Sequence, residues 1–271
     1  MAGQDGYMLN RDTSASLRLT SQHFLWSWQL GWNLHPDIVV LAKAANERVA
    51  VADVATGNGI WIIDEARNHQ EIDQFVGFDI SDVQLPRSET WPSNVKFDVF
   101  DATKAVPDEL RGRFDVVHCR LIMGVVRGGN TLPFVECFKA LLKPGGYLQW
   151  GELYTIPMYF YPKEKSTPEW ENYGMGMIDS VRPGAVDHDW ILERPESLRH
   201  HGFVDVVEVL GGPAKPELMK YWSDNTFASL EEIAAAIGAG QEVFTKLAEG
   251  RKEGWDSYFE PRVVIARKPP S

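Results

Sequence analysis

The chain has 271 residues, 44% hydrophobic and 24% charged, ordinary for a soluble globular protein and long enough for a substantial core, as one large domain or one domain with a cap. With 27 Lys and Arg against 38 Asp and Glu the net charge is −11 and the pI near 5.1, so a polyanion is repelled and no nucleic-acid partner is expected. No apolar run has the length of a membrane span, the N-terminus lacks a basic patch followed by an apolar stretch, and Cys119 and Cys137 form no CxxC pair; the expectation is a cytoplasmic protein with two buried thiols, neither membrane-bound nor disulfide-stapled.

Residues 1–10 are Gly-rich and polar, an arm or frayed end. The segment Thr13–Asn33 carries Leu17, Phe24, Leu25, Trp28 and Leu30 at helical spacing and stops near Gly31 and Pro36. Three Trp fall within seven residues there (Trp26, Trp28, Trp32), more than one amphipathic face needs, so part of this arm is expected to line a pocket. A short helix over 36–46 completes an N-terminal unit, residues 1–46, packed on the active site of a main domain spanning 47–271.

The main domain opens on VAVADVATGNGIW. Val49, Val51 and Val54 read as a buried strand, Thr56-Gly57-Asn58-Gly59 as the turn that ends it, and Ile60, Ile63 and Ala66 as the start of a helix. A glycine turn at a helix N-terminus with an acid, Asp53, at the strand end is a nucleotide-type cofactor site. With Gly57 and Gly59 as the first two glycines of a dinucleotide fingerprint, the third falls on Ile62; with Ala55 first it falls on Ile60. No Lys follows as a P-loop requires, which leaves a cofactor with an adenosine and no phosphates.

Phe75–Ile80 is read as the second strand, ending in Asp79, roughly 20 residues beyond the turn, where ribose hydroxyls are gripped. Val95–Phe100 is a third, closing on Asp101-Ala102, with Asp101 placed to accept from an adenine amine and Phe100 to pack on the ring. Phe114–Cys119 is a fourth, followed by Arg120. A helix over 131–142 is stopped by Lys143-Pro144-Gly145-Gly146, and Tyr147–Leu153 resumes as a fifth strand. This alternation predicts an α/β, doubly wound, mostly parallel sheet. Residues 155–200, rich in Tyr, Trp, Met and Pro, read as an inserted substrate cap. Two last strands are expected over 203–210 and 262–266, with a capping box at Ser229 and Glu232 opening a helical stretch through Leu247 between them, interrupted near Gly238 and Gly240. There is no internal repeat at solenoid periods.

In their order, RLTSQH (18–23), GWNLHP (31–36), VADVATGNGIW, GFDIS (77–81), FDVVHCRL (114–121) and LLKPGGYLQWGE (141–152) resemble the class I methyltransferases that use S-adenosylmethionine. Within that class they resemble more one fungal branch associated with secondary metabolism, the UMTA-like or gliotoxin-type small-molecule methyltransferases. The likeness spans most of residues 7–154, with RLxxQH and QWxE pointing to the branch. The resemblance implies a Rossmann-like seven-stranded sheet, order 3-2-1-4-5-7-6, with strand 7 antiparallel. It implies that Asp53, Ala55, Gly57 and Gly59 surround the methionine part of the cofactor, Asp79 and Ile80 the ribose, and Asp101 and Ala102 the adenine. His118 and Arg120 would face the sulfonium or the substrate. Ala55 departs from the family, where many members have Gly.

Methyl transfer to O or N needs positioning, exclusion of water and, for a hydroxyl or phenol, a base. His23 in the arm and His118 at a strand end are the candidate bases. Asp187-His188-Asp189 consists of neighbours that rarely ligate one ion together, so no metal is expected. The rival readings are a fold that binds the cofactor yet catalyses a dehydration or pericyclic step, with the cofactor as a fixed positive charge, and a regulator of the LaeA type. The expected partner is a small-molecule substrate, in a protein that leaves room for a homodimer.

Overall fold

The β-branched strands alternate between two faces of one sheet, and that alternation decides what each face meets. The protein is described by a computed structural model over residues 9–161, 189–236, 238, 241–254 and 256–270. Seven strands form a single sheet: β1 (Ala50–Val54), β2 (Gln74–Asp79), β3 (Val95–Val99), β4 (Phe114–Arg120), β5 (Leu142–Tyr161), β6 (Val204–Leu210) and β7 (Asp256–Arg267). Their order is β3-β2-β1-β4-β5-β7-β6. β7 runs antiparallel to both β5 and β6, and the pairs from β3 to β5 are parallel. This is the expected topology.

Ala52, Val54, Val117 and Cys119 face one side, where α4 (Leu132–Leu141) and α5 (Asp189–His200) bury Phe138, Leu141, Ile191 and Leu198 against them. Val51, Phe75 and Val116 face the other, under α2 (Pro36–Ala45) and α3 (Ile60–Asn68), which contribute Ile38, Ile62 and Ala66. Each such fully buried apolar side chain contributes on the order of 1.5–3 kcal/mol. Asp53 and His118 lie on the Val51 and Val116 side by the period of two. They are direct neighbours across the β1/β4 register.

The arm is α1 (Thr13–Leu30), capped by Asp12, whose Oδ1 accepts from the Ala15 N–H at 2.9 Å, and ended by Gly31 at φ +86°. It packs on α6 (Met219–Ala236), where buried Arg18 pairs with Glu232 at 2.9 Å and Asn225 Nδ2 donates to Arg18 O and Ser21 Oγ. Asn58 Nδ2 donates to Ser16 O at 3.1 Å and Thr20 Oγ1 at 2.9 Å, which fastens α1 directly over the glycine turn.

Three expectations change. The LKPGG segment does not precede the fifth strand but belongs to it: Leu142 already pairs with Phe114, and residues 143–146 bulge out of the ladder before Tyr147 pairs with Val116. A bulge lets Pro144 sit where no ladder donor is needed. β5 also continues through Tyr161, its residues 159–161 paired with β7, and α5 buries Trp190 and Ile191 in the sheet core; both ends of the expected cap are therefore part of the main body. The rest of that segment, residues 162–188 with Asp187 and His188, lies outside the described residues. Ser229 and Glu232 open no helix, because α6 begins ten residues earlier, at Met219. Ser229 Oγ instead donates back to Asn225 O, the bond a mid-helix serine makes, and α7 (Gln241–Lys252) follows as a separate helix.

Cys119 and Cys137 are buried and unpaired. No helix among the described residues is long and apolar enough to cross a membrane.

Candidate active site

The strand ends and the turn after β1 enclose a cavity of about 330 Å³. Asp53, Ala55, Gly57, Asp79, Ile80, Phe100, Asp101, Ala102, His118 and Arg120 all line it. β1, β2 and β4 carry residues to it from adjacent, parallel strands, so these groups meet at the carboxyl edge of the sheet where an open α/β fold holds its ligand.

Asp53 is 3% exposed. Its Oδ2 accepts from Thr56 Oγ1 at 2.6 Å and its Oδ1 from His118 Nδ1 at 2.7 Å. A carboxylate can only accept, so the proton of the neutral imidazole sits on Nδ1 and Nε2 keeps its lone pair. The His118 ring lies flat on Trp61, 3.7 Å between centroids and 3° between planes. Burial, opposed by Asp53 and reinforced by Arg120, holds the His118 pKa below its ordinary value, so the ring is neutral.

Asp79 takes the backbone N–H of Gly57 on Oδ2 at 2.8 Å and that of Ser81 on Oδ1 at 3.1 Å. Each oxygen keeps a second lone pair for a hydroxyl. Burial raises its pKa against those two N–H donors. Asp101 receives both the N–H and the hydroxyl of Thr103 on Oδ1, which leaves Oδ2 uncommitted. With Phe100 between the two acids, the donor set fits an adenosine: acceptors for the ribose and for the exocyclic amine, and an aromatic edge for the ring.

Two expected residues stand elsewhere. Gly59 does not line the cavity. It takes φ +75°, and a Cβ there would sit 2.7 Å from Phe97 Cζ, so its place is the strand-to-helix bend and the contact with β3. Gly59→Ala is expected to lose about 2–3 kcal/mol of stability, from left-handed strain plus the clash, read as a drop in the denaturation midpoint. Ala55 holds φ +59° with its methyl in place, a strain that glycine would not carry.

His23, expected as a base, is wholly buried behind the cavity wall. Its Nε2–H donates to Asp64 Oδ2 at 2.9 Å, and its Nδ1 faces Arg120 Nη2 at 3.4 Å. Burial, then Arg120, lowers its pKa to about 4, so it accepts from the guanidinium as a neutral ring. With both nitrogens committed it orients Arg120 and is not placed to take a proton from a substrate. The arm reaches the cavity through Leu19 and Gln22 rather than its tryptophans; Trp26 is buried against Leu153 and Trp222, and Trp28 is exposed.

Glu152 shapes the cavity wall from behind and was not singled out by the sequence pattern alone, although it closes the QWxE motif. Fully buried, it accepts from the N–H groups of Ile122 and Met123 and from Trp150 Nε1. It thereby fixes the loop after β4, where Leu121 takes φ +62° and Leu121 and Ile122 line the cavity. Arg194, buried beside it, ties that corner to β5 and β7 by donating to Trp150 O and Arg262 O. An acid on the same strand as a buried Trp was the available signal.

Among known proteins, a family described as methyltransferase domain matches residues 34–171. The chain is 36% identical over 247 residues to methyltransferase grgD of Penicillium sp, covering 81% of this chain and 83% of the relative. It is 27% identical to the N-methyltransferase verN of Clonostachys rogersoniana, covering 74% of this chain and 66% of the relative. In fold it resembles Haemonchus contortus phosphoethanolamine N-methyltransferase 2, solved with phosphomonomethylethanolamine and S-adenosylhomocysteine, with a TM-score of 0.51 at 17% identity over 92% of this chain and 58% of that one.

Proposed function

We propose, from the premise that this chain belongs to the methyltransferase domain family and is an S-adenosylmethionine-dependent methyltransferase, that it methylates an oxygen or nitrogen of a small, largely apolar or aromatic secondary metabolite. The observation that carries this reading is the Asp53–His118 pair, a buried carboxylate 2.7 Å from a neutral imidazole, on the wall of a cavity whose other strand ends offer adenosine-binding acids. The cofactor, when bound, supplies a methyl group already activated by its sulfonium.

What the chain's own residues do is position and deprotonate. Asp79 and Ile80 hold the ribose; Asp101, Ala102 and Phe100 hold the adenine; Asp53, Ala55 and Gly57 lie along the methionine part, with Gly59 bending the chain beneath them. His118 removes the acceptor proton with Nε2 while Asp53 fixes its tautomer and stabilises the imidazolium that forms. Trp61, flat against the imidazole, keeps water from its face. The apolar side chains of Ile122, Val125 and Phe134 in the same cavity, and the net negative charge, favour a small apolar acceptor over an anionic polymer. The N-methyltransferase name of verN supports nitrogen as one acceptor atom. The buried, unpaired cysteines suit a reducing cytoplasm.

Incubating the chain with methyl-labelled S-adenosylmethionine and fungal small-molecule extracts is expected to move label into an organic-soluble compound. Conversion of a substrate while the label stays on the cofactor overturns methyl transfer to the acceptor.

A further inference from the structure

The helix α1 crosses the carboxyl edge of the sheet, and three of its residues fix the path. Ser16 Oγ accepts from Gln84 Nε2, in the loop after β2, at 3.0 Å. Leu19 lies over the turn after β1, its Cδ1 3.5 Å from where a Cβ on Gly57 would stand. Trp26 reaches β5, where a Cβ on Gly151 would stand 2.8 Å from its Cζ2. Gln22 is three residues past Leu19 and four before Trp26, so it shares their face of the helix. It therefore lies between the end of β1 and the ends of β4 and β5.

Gln22 is 8% exposed and lines the cavity. Its carboxamide makes no hydrogen bond with the described residues, and neither amide atom is sealed from solvent, so the opening it meets is the cavity. An amide buried that far is costly unless a partner in the cavity completes it. The polar groups around it are taken: Thr56 Oγ1 donates to Asp53, Asn58 Nδ2 to Ser16 O and Thr20 Oγ1, and His23 is held between Asp64 and Arg120. In the reading above the adenosine acids stand at the ends of β2 and β3 and the methionine part lies along the end of β1. The β4 side, with His118 Nε2, is left for the acceptor, and Gln22 overlooks it.

A carboxamide offers a donor and an acceptor together and carries no charge. With Leu19 and Trp61 in the same wall, it suits a neutral polar group and supplies no ion pair to a carboxylate or a phosphate. We propose that Gln22 is an acceptor-binding residue. Its carboxamide hydrogen-bonds a neutral hydroxyl, carbonyl or amide group of the small molecule beside the atom that is methylated, and so holds that atom in line with the activated methyl group. The inference rests on the methyl-transfer reading above and adds to it the group that the acceptor presents to the arm.

The probe is the fungal small-molecule extract, supplied as a dilution series to the full chain with saturating methyl-labelled S-adenosylmethionine. Label in the organic phase then gives a half-saturating extract concentration and a maximal rate. Gln22→Met keeps the length and helix propensity of the side chain without its hydrogen bonds. It is expected to raise the half-saturating concentration about tenfold, because the polar group of the acceptor is left unpaired, while the maximal rate falls less than about threefold. Gln22→Asn keeps the amide one methylene back and is expected to raise that concentration only about threefold. Calorimetric affinity for S-adenosylhomocysteine is expected to stay within about twofold in both variants. Thermal unfolding checks that each is folded, and if Gln22→Met is not, the same split in Gln22→Asn decides.

An unchanged half-saturating concentration overturns the assignment. A parallel loss of S-adenosylhomocysteine affinity overturns it by giving the amide to the cofactor, and a fall in maximal rate alone overturns it in favour of a structural role. If the unaltered chain labels nothing in the extract, the methyl-transfer reading itself fails and takes this assignment with it.

Discussion

Replacing His118 by Asn is expected to cut turnover on a hydroxyl or phenol acceptor by on the order of 10²–10⁴-fold, the range a positioned general base supplies. Asn is short and polar and can still donate toward Asp53, so the wall of the cavity survives while the basic nitrogen is lost. Affinity for S-adenosylhomocysteine should stay within about threefold. The pH profile carries the sign of the argument. As the proposed base His118 would act from the neutral ring: burial is the largest cause that lowers its pKa, and Arg120 lowers it further against the pull of Asp53. The acid limb of kcat/KM should therefore lie below 6.5, the ordinary histidine value, with the rate flat through neutral pH. Arg120→Met removes one of the depressing charges and should move that limb to higher pH. Turnover by His118→Asn within threefold of the unaltered chain would rule the base out.

What the residue pattern could and could not reveal follows from the range of each interaction. The three strand-end acids and the glycine turn were legible because period-two alternation and turn chemistry are local. The pairing of Asp53 with His118 was not, because it depends on the β1/β4 register, a contact between residues far apart in the chain. His23 looked like a base by residue type. Only packing reveals that it is enclosed between Asp64 and Arg120. The tryptophans of the arm misled for a related reason: large aromatics report buried area, and Trp26 spends its area on Trp222 and Leu153 rather than on a ligand. The bulge at 143–146 looked like a stop because Pro-Gly-Gly breaks helices and strands alike, and whether a strand resumes in the same ladder depends on the partner strand.

Asp79→Ala is expected to weaken S-adenosylhomocysteine and 5′-methylthioadenosine together, each by about tenfold or more, as loss of a charged hydrogen-bond acceptor would. Both ligands keep the ribose, so calorimetry should show the loss in parallel. Part of the effect is indirect. Asp79 also holds the Gly57 N–H, so the Ala variant leaves the glycine turn without its acceptor. Asp79→Asn keeps a carbonyl for that N–H, but its NH₂ then faces the Ser81 N–H or a ribose hydroxyl, so it should fall between the parent and Ala. The pH dependence has a definite sign. Burial raises the Asp79 pKa above 3.8, and the protonated acid gives up one acceptor. Affinity should therefore decline as pH falls through that raised value, a limb that Asp79→Asn abolishes. An unchanged affinity for both ligands in Asp79→Ala would remove the ribose from the end of β2 and with it the orientation of the whole cofactor in the cavity.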